Sequence, residues 1–295
     1  MDSSLLNTGN GKIDNMKLFH TIQNNNLFVN IIHFNILVFI IINILNVIGF
    51  LLTKEYEIIH YLGISANLET LIKKPWTLIS YMFVHMDFLH LLVNLIWFYL
   101  GGRVFIQYLS QKQLLSTYLM GGIIGAIVYI IAFNVFPAFD IIKEHSIAIG
   151  ASASVLAILF AIASYAPNFS INLNLLGSVK LKYIAIIALI IDILSIPKGN
   201  AGGHIAHIGG ALYGYIYILM LKRNINTNYF IEQIILLLSP SLSIIKKQKN
   251  YENDYEYNAR KRNEEKEINK ILDKISKSGY DSLSSEEKKT LFKHK

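Results

Sequence analysis

Apolar residues dominate the chain from Phe28 to Leu221, and charged residues interrupt them only at intervals. One charge-free interval lies between Lys17 and Lys54, and another lies between Glu144 and Lys180. Six stretches approach the roughly 20 apolar residues that a helix needs to cross a bilayer. This pattern predicts six membrane-spanning helices, over Phe28–Leu52, His85–Phe105, Leu114–Phe136, Gly150–Ala166, Val179–Ile196 and His204–Leu221.

The pattern changes after the sixth stretch. Residues 223–295 hold 15 of the 27 Lys and Arg and 11 of the 20 Asp and Glu. Apolar residues recur at helical spacing from Ile268 to Ile275, and Ser284 with Glu287 fits a capping box that opens a last short helix. We therefore expect a polar N-terminal tail (1–27), a six-span core (28–222), a linker with an interfacial helix (223–250) and a charged helical cytosolic tail (251–295).

The composition is that of an integral membrane protein. The 295 residues are 53% hydrophobic and 16% charged, whereas a soluble domain carries about 25% charged residues. The chain has no cysteine, which excludes disulfides, thiolate catalysis and cysteine-ligated metals. The net charge of +7 lies in the loops and the tail, so it indicates a lipid bilayer as partner and no nucleic acid.

Lys and Arg near the span ends predict the orientation. With the N-terminus in the cytoplasm, eight of them flank the spans on the cytoplasmic side and five on the outer side. Residues 1–26 lack a basic region that leads into a short apolar core, which argues against a cleaved signal peptide. These features predict a multi-pass protein of a bacterial inner membrane with both termini cytoplasmic.

Polar side chains gather at one depth of the predicted bundle, because the even-numbered spans all begin at the outer face. Intramembrane histidines are costly in lipid and indicate function by default. A serine at a helix start can attack a carbonyl and use free N–H groups to hold the oxyanion, although small residues and serines also pack membrane helices together. The residues concerned are His85, His90 and Asn94 at the start of span two, Ser152 at the start of span four, and His204 and His207 at the start of span six.

Three motifs occur together and in order in these spans. They are His85, His90 and Asn94 in span two, Gly150-Ala151-Ser152 opening span four, and Ala206-His207-Ile208-Gly209-Gly210 in span six; Gly101-Gly102-Arg103 and Tyr118-Leu119-Met120-Gly121-Gly122 accompany them. In this combination the chain resembles the rhomboid family of intramembrane serine proteases over about residues 28–222. The resemblance implies an all-α membrane protein with a six-helix rhomboid-like bundle, followed here by the small helical cytosolic tail.

The resemblance also implies roles for individual residues. Ser152 would be the nucleophile, and His207 the general base and then the general acid of a Ser–His dyad. Asn94 and His90 would support the oxyanion together with backbone N–H groups near Ser152. His85, His204 and Gly150 would be accessory positions, with no cofactor and no metal. The substrates would be transmembrane segments of other membrane proteins, cut near the outer membrane face.

Some positions depart from the family pattern or compete for a role. Ala153 follows the nucleophile where the family often has glycine, and Trp76 is followed by Thr77 where many members have a Trp-Arg pair. Ser154 lies about 200° around the helix from Ser152, so it is a decoy nucleophile. Asp192 is a candidate orienter of the histidine, but intramembrane carboxylates also pair structurally or snorkel, and this second reading is favoured.

Two other functions stay open at this point. A rhomboid-like protein without catalysis would bind and escort membrane proteins, but such members usually lack the serine or the histidine, and both are present here. A His-rich membrane protein that handles metal would use His85, His90, His204 and His207, since four histidines can bind zinc. The lack of a clearly placed acidic ligand argues against this reading, and sensitivity to a chelator would separate it from the protease.

Overall fold

The structure is a computed structural model that describes residues 26–53, 58–173, 177–238 and 254–293. The predicted N-terminal tail, apart from residues 26 and 27, and residues 239–250 of the predicted linker lie outside the described residues. In chain order the helices and strands are α1 (Leu27–Leu51), α2 (Ile58–Leu62), β1 (Ile64–Ser65), α3 (Leu68–Lys73), α4 (Thr77–Ser80), α5 (Phe88–Tyr108), α6 (Gln111–Val135), β2 (Ile147–Ala148), α7 (Ser152–Tyr165), β3 (Ser170–Leu173), β4 (Gly177–Lys180), α8 (Leu181–Ser195), α9 (Ala201–Leu221), α10 (Tyr229–Leu238), α11 (Asp254–Ser278) and α12 (Ser285–Lys293).

The predicted helical membrane bundle is confirmed. Within the described residues, four helices are long and apolar enough to cross a membrane, namely α1, α5, α6 and α9. The other two predicted spans are shorter than expected, because α7 has 14 residues and α8 has 15. Gly150 precedes α7 with a φ of 118°, and the β3–β4 hairpin takes up the start of the fifth apolar stretch. A helix enclosed by protein, as α7 is, need not match the bilayer thickness.

Helix α7 lies at the centre of the bundle, against α5, α6 and α9. Glycines make this packing close: a Cβ on Gly210 of α9 would lie 2.1 Å from the carbonyl oxygen of Ala153. A Cβ on Gly214 would lie 2.0 Å from the carbonyl oxygen of Ala157. Small residues on α7 and α9 therefore bring the two backbones into contact.

Local sequence fixes where the flanking helices begin. Asn200, with a φ of 49°, places its side-chain oxygen 3.3 Å from the N–H of Gly203 and caps α9. Helix α9 therefore begins at Ala201, three residues before the predicted span. Helix α5 begins at Phe88, so His85 lies in the connection before the helix rather than inside it.

The connection between α1 and α5 belongs to the core. Strand β1 pairs with β2 in antiparallel register, with Ile64 opposite Ala148. The hydroxyl of Tyr81 donates to the carbonyl of Gly122 over 2.6 Å, which ties the connection to α6. Because β2 runs directly into the segment before Ser152, this connection holds the approach to α7 in place.

The C-terminal part forms helices as predicted. Ser284 caps α12: its hydroxyl accepts from the N–H of Glu287 over 3.2 Å, and the Glu287 carboxylate accepts from the N–H of Ser284 over 2.7 Å. This reciprocal pair confirms the predicted capping box. The ammonium group of Lys274, 2.8 Å away, lowers the pKa of the Glu287 carboxyl and links α11 to α12. The boundaries proposed for the four chain segments stay a prediction.

Candidate active site

Ser152 is the first residue of α7, and a short turn of backbone presents it. Gly150 has a φ of 118°, a conformation that side chains disfavour, and a Cβ there would lie 2.8 Å from the His90 ring. The N–H of Gly150 donates to the carbonyl of Tyr81 over 2.9 Å. Both the backbone and the neighbouring ring therefore require glycine two positions before Ser152.

The side chains of Ser152 and His207 meet directly. The Ser152 Oγ lies 2.5 Å from the Nε2 of His207, although the residues are 55 positions apart. His207 stands on α9 one turn before Gly210, whose contact with Ala153 brings α9 against the start of α7. The pairing that the resemblance implied is thus produced by backbone packing between two helices.

The short length of α7 sets the depth of this pair. The Tyr165 ring at the end of α7 lies 5.7 Å from the Tyr108 ring at the end of α5. Lys222, just after α9, donates to the carbonyl of Ser164 over 2.9 Å, so the three helices end at a similar level. Since α5 and α9 have 21 residues and α7 has 14, α7 starts seven residues deeper. At 1.5 Å per residue this is about 10 Å below the starts of its neighbours.

Asp192 joins the pair from the side of α8. Its Oδ1 lies 2.8 Å from the Nδ1 of His207 and 2.7 Å from the Nδ1 of His204. The residue is only 8% exposed. Sequence reasoning favoured a structural pairing or snorkelling for Asp192, whereas the structure brings the carboxylate to the imidazole that contacts Ser152.

His85, Asn94 and the backbone before Ser152 form a second polar group. His85 is fully buried, and its Nε2 accepts from the N–H of Ala151 over 3.2 Å. The amide nitrogen of Asn94 lies 3.3 Å from the same Nε2 and donates to the carbonyl of His90 over 3.0 Å. Two donors point at the Nε2 of His85, so this nitrogen carries no hydrogen and the ring is the neutral Nδ1–H tautomer.

Ser154 and Ala153 both face away from the site. The Ser154 hydroxyl is completely buried and lies 3.7 Å from the sulfur of Met82. The Ala153 methyl packs against α6, where a Cβ on Gly125 would lie 2.7 Å from it. The methyl that replaces the usual glycine hydrogen is therefore accommodated by a second glycine and does not enter the space around Ser152.

Among the described residues, Asp192, His204 and His207 also have the spacing of a metal site, with ligand atoms within 4.8 Å of one another. The two Nδ1 atoms, however, lie at hydrogen-bond distances of 2.7 and 2.8 Å from the carboxylate oxygen. Ligands of a tetrahedral zinc ion with bonds of 2.0–2.1 Å stand roughly 3.3 Å apart. The arrangement is that of two N–H donors on one carboxylate oxygen.

Comparisons with known proteins agree with this architecture. Residues 251–294 match a family of unknown function (DUF6576). The chain is 29% identical over 141 residues to the Presenilin-associated rhomboid-like protein A, mitochondrial, of Danio rerio, an alignment that covers 46% of this chain and 35% of the relative. It is 29% identical over 156 residues to the RHOMBOID-like protein 12, mitochondrial, of Arabidopsis thaliana, covering 50% and 46%. The matched region spans less than half the length of either curated relative.

These relatives correct the predicted location. Both carry mitochondrial in their names, which contradicts a bacterial inner membrane with cytoplasmic termini. The Lys and Arg bias of eight to five reports on the sidedness of a bundle and cannot distinguish one membrane from another. The family profile for the Rhomboid domain matches residues 73–224, more than half of the 295 residues. With this match, and with its helical bundle, the chain belongs to the rhomboid family.

Proposed function

We propose that this rhomboid-family chain is an intramembrane serine endopeptidase that uses Ser152 and His207. The observation that carries the proposal is the 2.5 Å contact between the Ser152 Oγ and the His207 Nε2 at the start of a buried helix. A serine hydroxyl is a poor nucleophile unless a base takes its proton as it attacks. His207 is the base within reach, and a neutral Nε2 accepts that proton.

The reaction follows from these two side chains. The Ser152 oxygen forms a bond to the substrate carbonyl carbon while its proton passes to the His207 Nε2. His207 then gives the proton to the leaving amine, and the acyl group stays on Ser152 as an ester. Water attacks the ester with the same histidine as base, which releases the acid product and restores Ser152.

The negative charge on the carbonyl oxygen needs donors. The first N–H groups of α7 have no acceptor within the helix and point towards its start, where the helix dipole also favours negative charge. Asn94 is the side-chain donor, and His90 lies against Gly150 next to it. In the resting structure the Asn94 amide bonds to His90 and His85, so it has to exchange one of these bonds for the oxyanion.

The substrates are transmembrane segments of other membrane proteins, as the family resemblance implies. The depth of Ser152, about 10 Å from the starts of α5 and α9, supports cleavage within or near the edge of the membrane segment. Exposed apolar side chains cover the outer face of α8, which fits direct contact with lipid. The names of the relatives support a mitochondrial membrane as the place of action.

Cleavage by the purified full-length chain tests this function. The wild type should react with a fluorophosphonate probe and cut a single-span test substrate in liposomes. Ser152→Ala should do neither. Ser154→Ala is the matched control, because it removes a hydroxyl two residues away that faces Met82, and it should keep both activities within about twofold.

The same assay separates the alternatives. A folded wild type that binds the substrate without reacting with the probe or cutting would favour a non-catalytic escort protein. Cleavage that survives Ser152→Ala and stops with a chelator would favour a metal site made by the histidines.

A further inference from the structure

The buried face of α8 directs one carboxylate into the bundle. The buried residues of this helix are Leu181, Ala185 and Asp192, which share a face at spacings of four and seven. The residues next to Asp192 in the chain, Ile191 and Ile193, are turned away from this face and are 58% and 48% exposed. Asp192 is therefore held inside by the same face that packs α8, and it does not snorkel to the surface.

From this geometry we propose that Asp192 is the positioning residue for His207, so that the chain works with a Ser–His–Asp triad and not with an unsupported dyad. The proposal rests on the proposed function, since it assigns a role within that reaction. The three side chains are connected in series, from the Ser152 Oγ to the His207 Nε2 over 2.5 Å, and from the His207 Nδ1 to the Asp192 Oδ1 over 2.8 Å.

The carboxylate selects the useful form of the imidazole. A carboxylate only accepts hydrogen bonds, so the Nδ1 of His207 must carry the hydrogen that Asp192 receives. The Nε2 is then left with its lone pair, and it accepts the hydrogen of the Ser152 hydroxyl. When the Nε2 takes that proton, the positive ring stands beside the negative carboxylate, which stabilises it at the moment of attack.

His204 completes the arrangement from the same helix as His207. It stands one turn earlier on α9 and donates to the same carboxylate oxygen over 2.7 Å. The two imidazole rings are 5.8 Å apart and nearly perpendicular, at 85°. A buried carboxylate with two N–H donors is satisfied within the protein, which keeps the charge of Asp192 at this position.

Replacement of Asp192 by asparagine keeps the size of the side chain but removes the charge that selects the Nδ1–H form of His207. An amide carries no charge, and its NH2 group can turn to donate to the Nδ1 of His207, which a carboxylate cannot do. His207 then populates the form with hydrogen on the Nε2, which donates to Ser152 instead of accepting. We expect kcat to fall by roughly 10²–10⁴ with KM within about twofold, as for loss of a triad acid.

The experiment compares full-length Asp192→Asn, Asp192→Glu and Asp140→Asn with the wild type and with Ser152→Ala. Asp140 is the matched control, because it is an exposed carboxylate whose ion pair with Lys143 lies outside the site. Asp192→Glu should recover at least tenfold of the lost kcat, because it restores a carboxylate. With ¹⁵N-labelled histidine, a downfield Nδ1 proton should appear in the wild type and in Ser152→Ala and should move upfield in Asp192→Asn.

The outcomes that overturn the proposal are separate from those that overturn the protease. An inactive Ser152→Ala beside a fully active Asp192→Asn would leave the protease standing and remove the triad. An Asp192→Asn variant that loses thermal stability and changes KM and kcat together, without rescue by glutamate, would reduce Asp192 to a structural role. Full activity in Ser152→Ala would contradict the proposed function itself. Loss of wild-type activity with a chelator would make the cluster a metal site and overturn the triad.

Discussion

Helices α7 and α8 each supply one end of the proposed triad, yet they are held in opposite ways. Most of helix α7 is buried, and Ala157 and Ile158 in its middle are fully buried. Helix α8 buries three residues along one face and exposes most of its other apolar side chains. The nucleophile is thus fixed by backbone contact with neighbouring helices, whereas the carboxylate is held by a single face and by its two histidines.

This difference indicates a division between rigid and adjustable parts. A nucleophile must keep its geometry to a fraction of an ångström, and glycine contacts with α6 and α9 provide that fixity for Ser152. A helix with one packed face can shift at lower cost, because few contacts are lost. The site therefore combines Ser152, on a rigidly packed central helix, with Asp192, on a helix at the periphery of the bundle.

The largest effect on kcat should come from the rigidly held pair, Ser152 and His207. His207→Ala removes the base, and we expect kcat to fall by about 10⁶, as for other serine proteases that lose their histidine. Because the two residues act as one unit, the double variant Ser152→Ala/His207→Ala should be no slower than Ser152→Ala alone. Single-turnover cleavage measures both, and effects that multiply would show that the residues act independently.

Loss of the proposed oxyanion donor, Asn94, should lower kcat by less. Asn94→Ala should lower kcat by roughly 10²–10³ with little change in KM, since an oxyanion donor acts mainly in the transition state. Asn43→Ala in α1 is the matched control, because its amide donates within its own helix, to the carbonyl of Phe39 over 2.9 Å. Kinetics in liposomes decide this point, and equal effects of the two variants would contradict the role of Asn94.

A substitution that disturbs the packing against α7 should lower stability more than a substitution on α8. Gly210→Ala places a methyl within 2.1 Å of the Ala153 carbonyl oxygen, so the helices must separate, at a cost of roughly 1–3 kcal/mol. Ile190→Ala removes a side chain of α8 that is 49% exposed and should change stability by less than about 0.5 kcal/mol. Thermal unfolding in detergent compares the two, and equal losses would abolish the distinction between the helices.

The smallest effect should follow deletion of residues 251–295. Lys266 and Asn269 of α11 line a cavity with Tyr108 and Tyr165, at the end of α7 opposite to Ser152. Because glycine contacts and not the tail fix the start of α7, turnover by the truncated chain should stay within about twofold of the wild type. A folded truncation without activity would show that the tail supports the site from a distance.

The sequence predicted most of the fold and the two side chains, Ser152 and His207, whose contact carries the proposed function. Charge-free intervals marked the long helices, and the spaced histidines with Gly150-Ala151-Ser152 identified the family pattern. The predicted span over Gly150–Ala166 exceeds α7 at both ends, because Gly150, Ala151 and Ala166 are uncharged small residues like many in the helix between them. Hydropathy alone does not mark where a buried helix begins and ends.

The contact of Asp192 with His207 and the burial of His85 were not predicted, for a different reason. A single carboxylate in an apolar helix has many available partners, and the turn between α8 and α9 decides which of them it meets. Its place on the face shared by Leu181 and Ala185 was a usable signal, since an inward carboxylate needs an inward partner. For His85, the burial depends on the packing of a whole connection, which no local pattern describes.

The seven-residue deficit of α7 has a consequence for hydration. A bilayer core of about 30 Å is crossed by helices of the length of α5 and α9, but not by α7. The backbone above Ser152 is strand and turn, which lipid cannot accommodate because its polar groups would go unsatisfied. It is sheltered here by β1, by the Tyr81 carbonyl and by the His85 ring. The chain thereby keeps polar groups at the depth of Ser152 inside an apolar medium, and the proposed hydrolysis would consume its water at this depth.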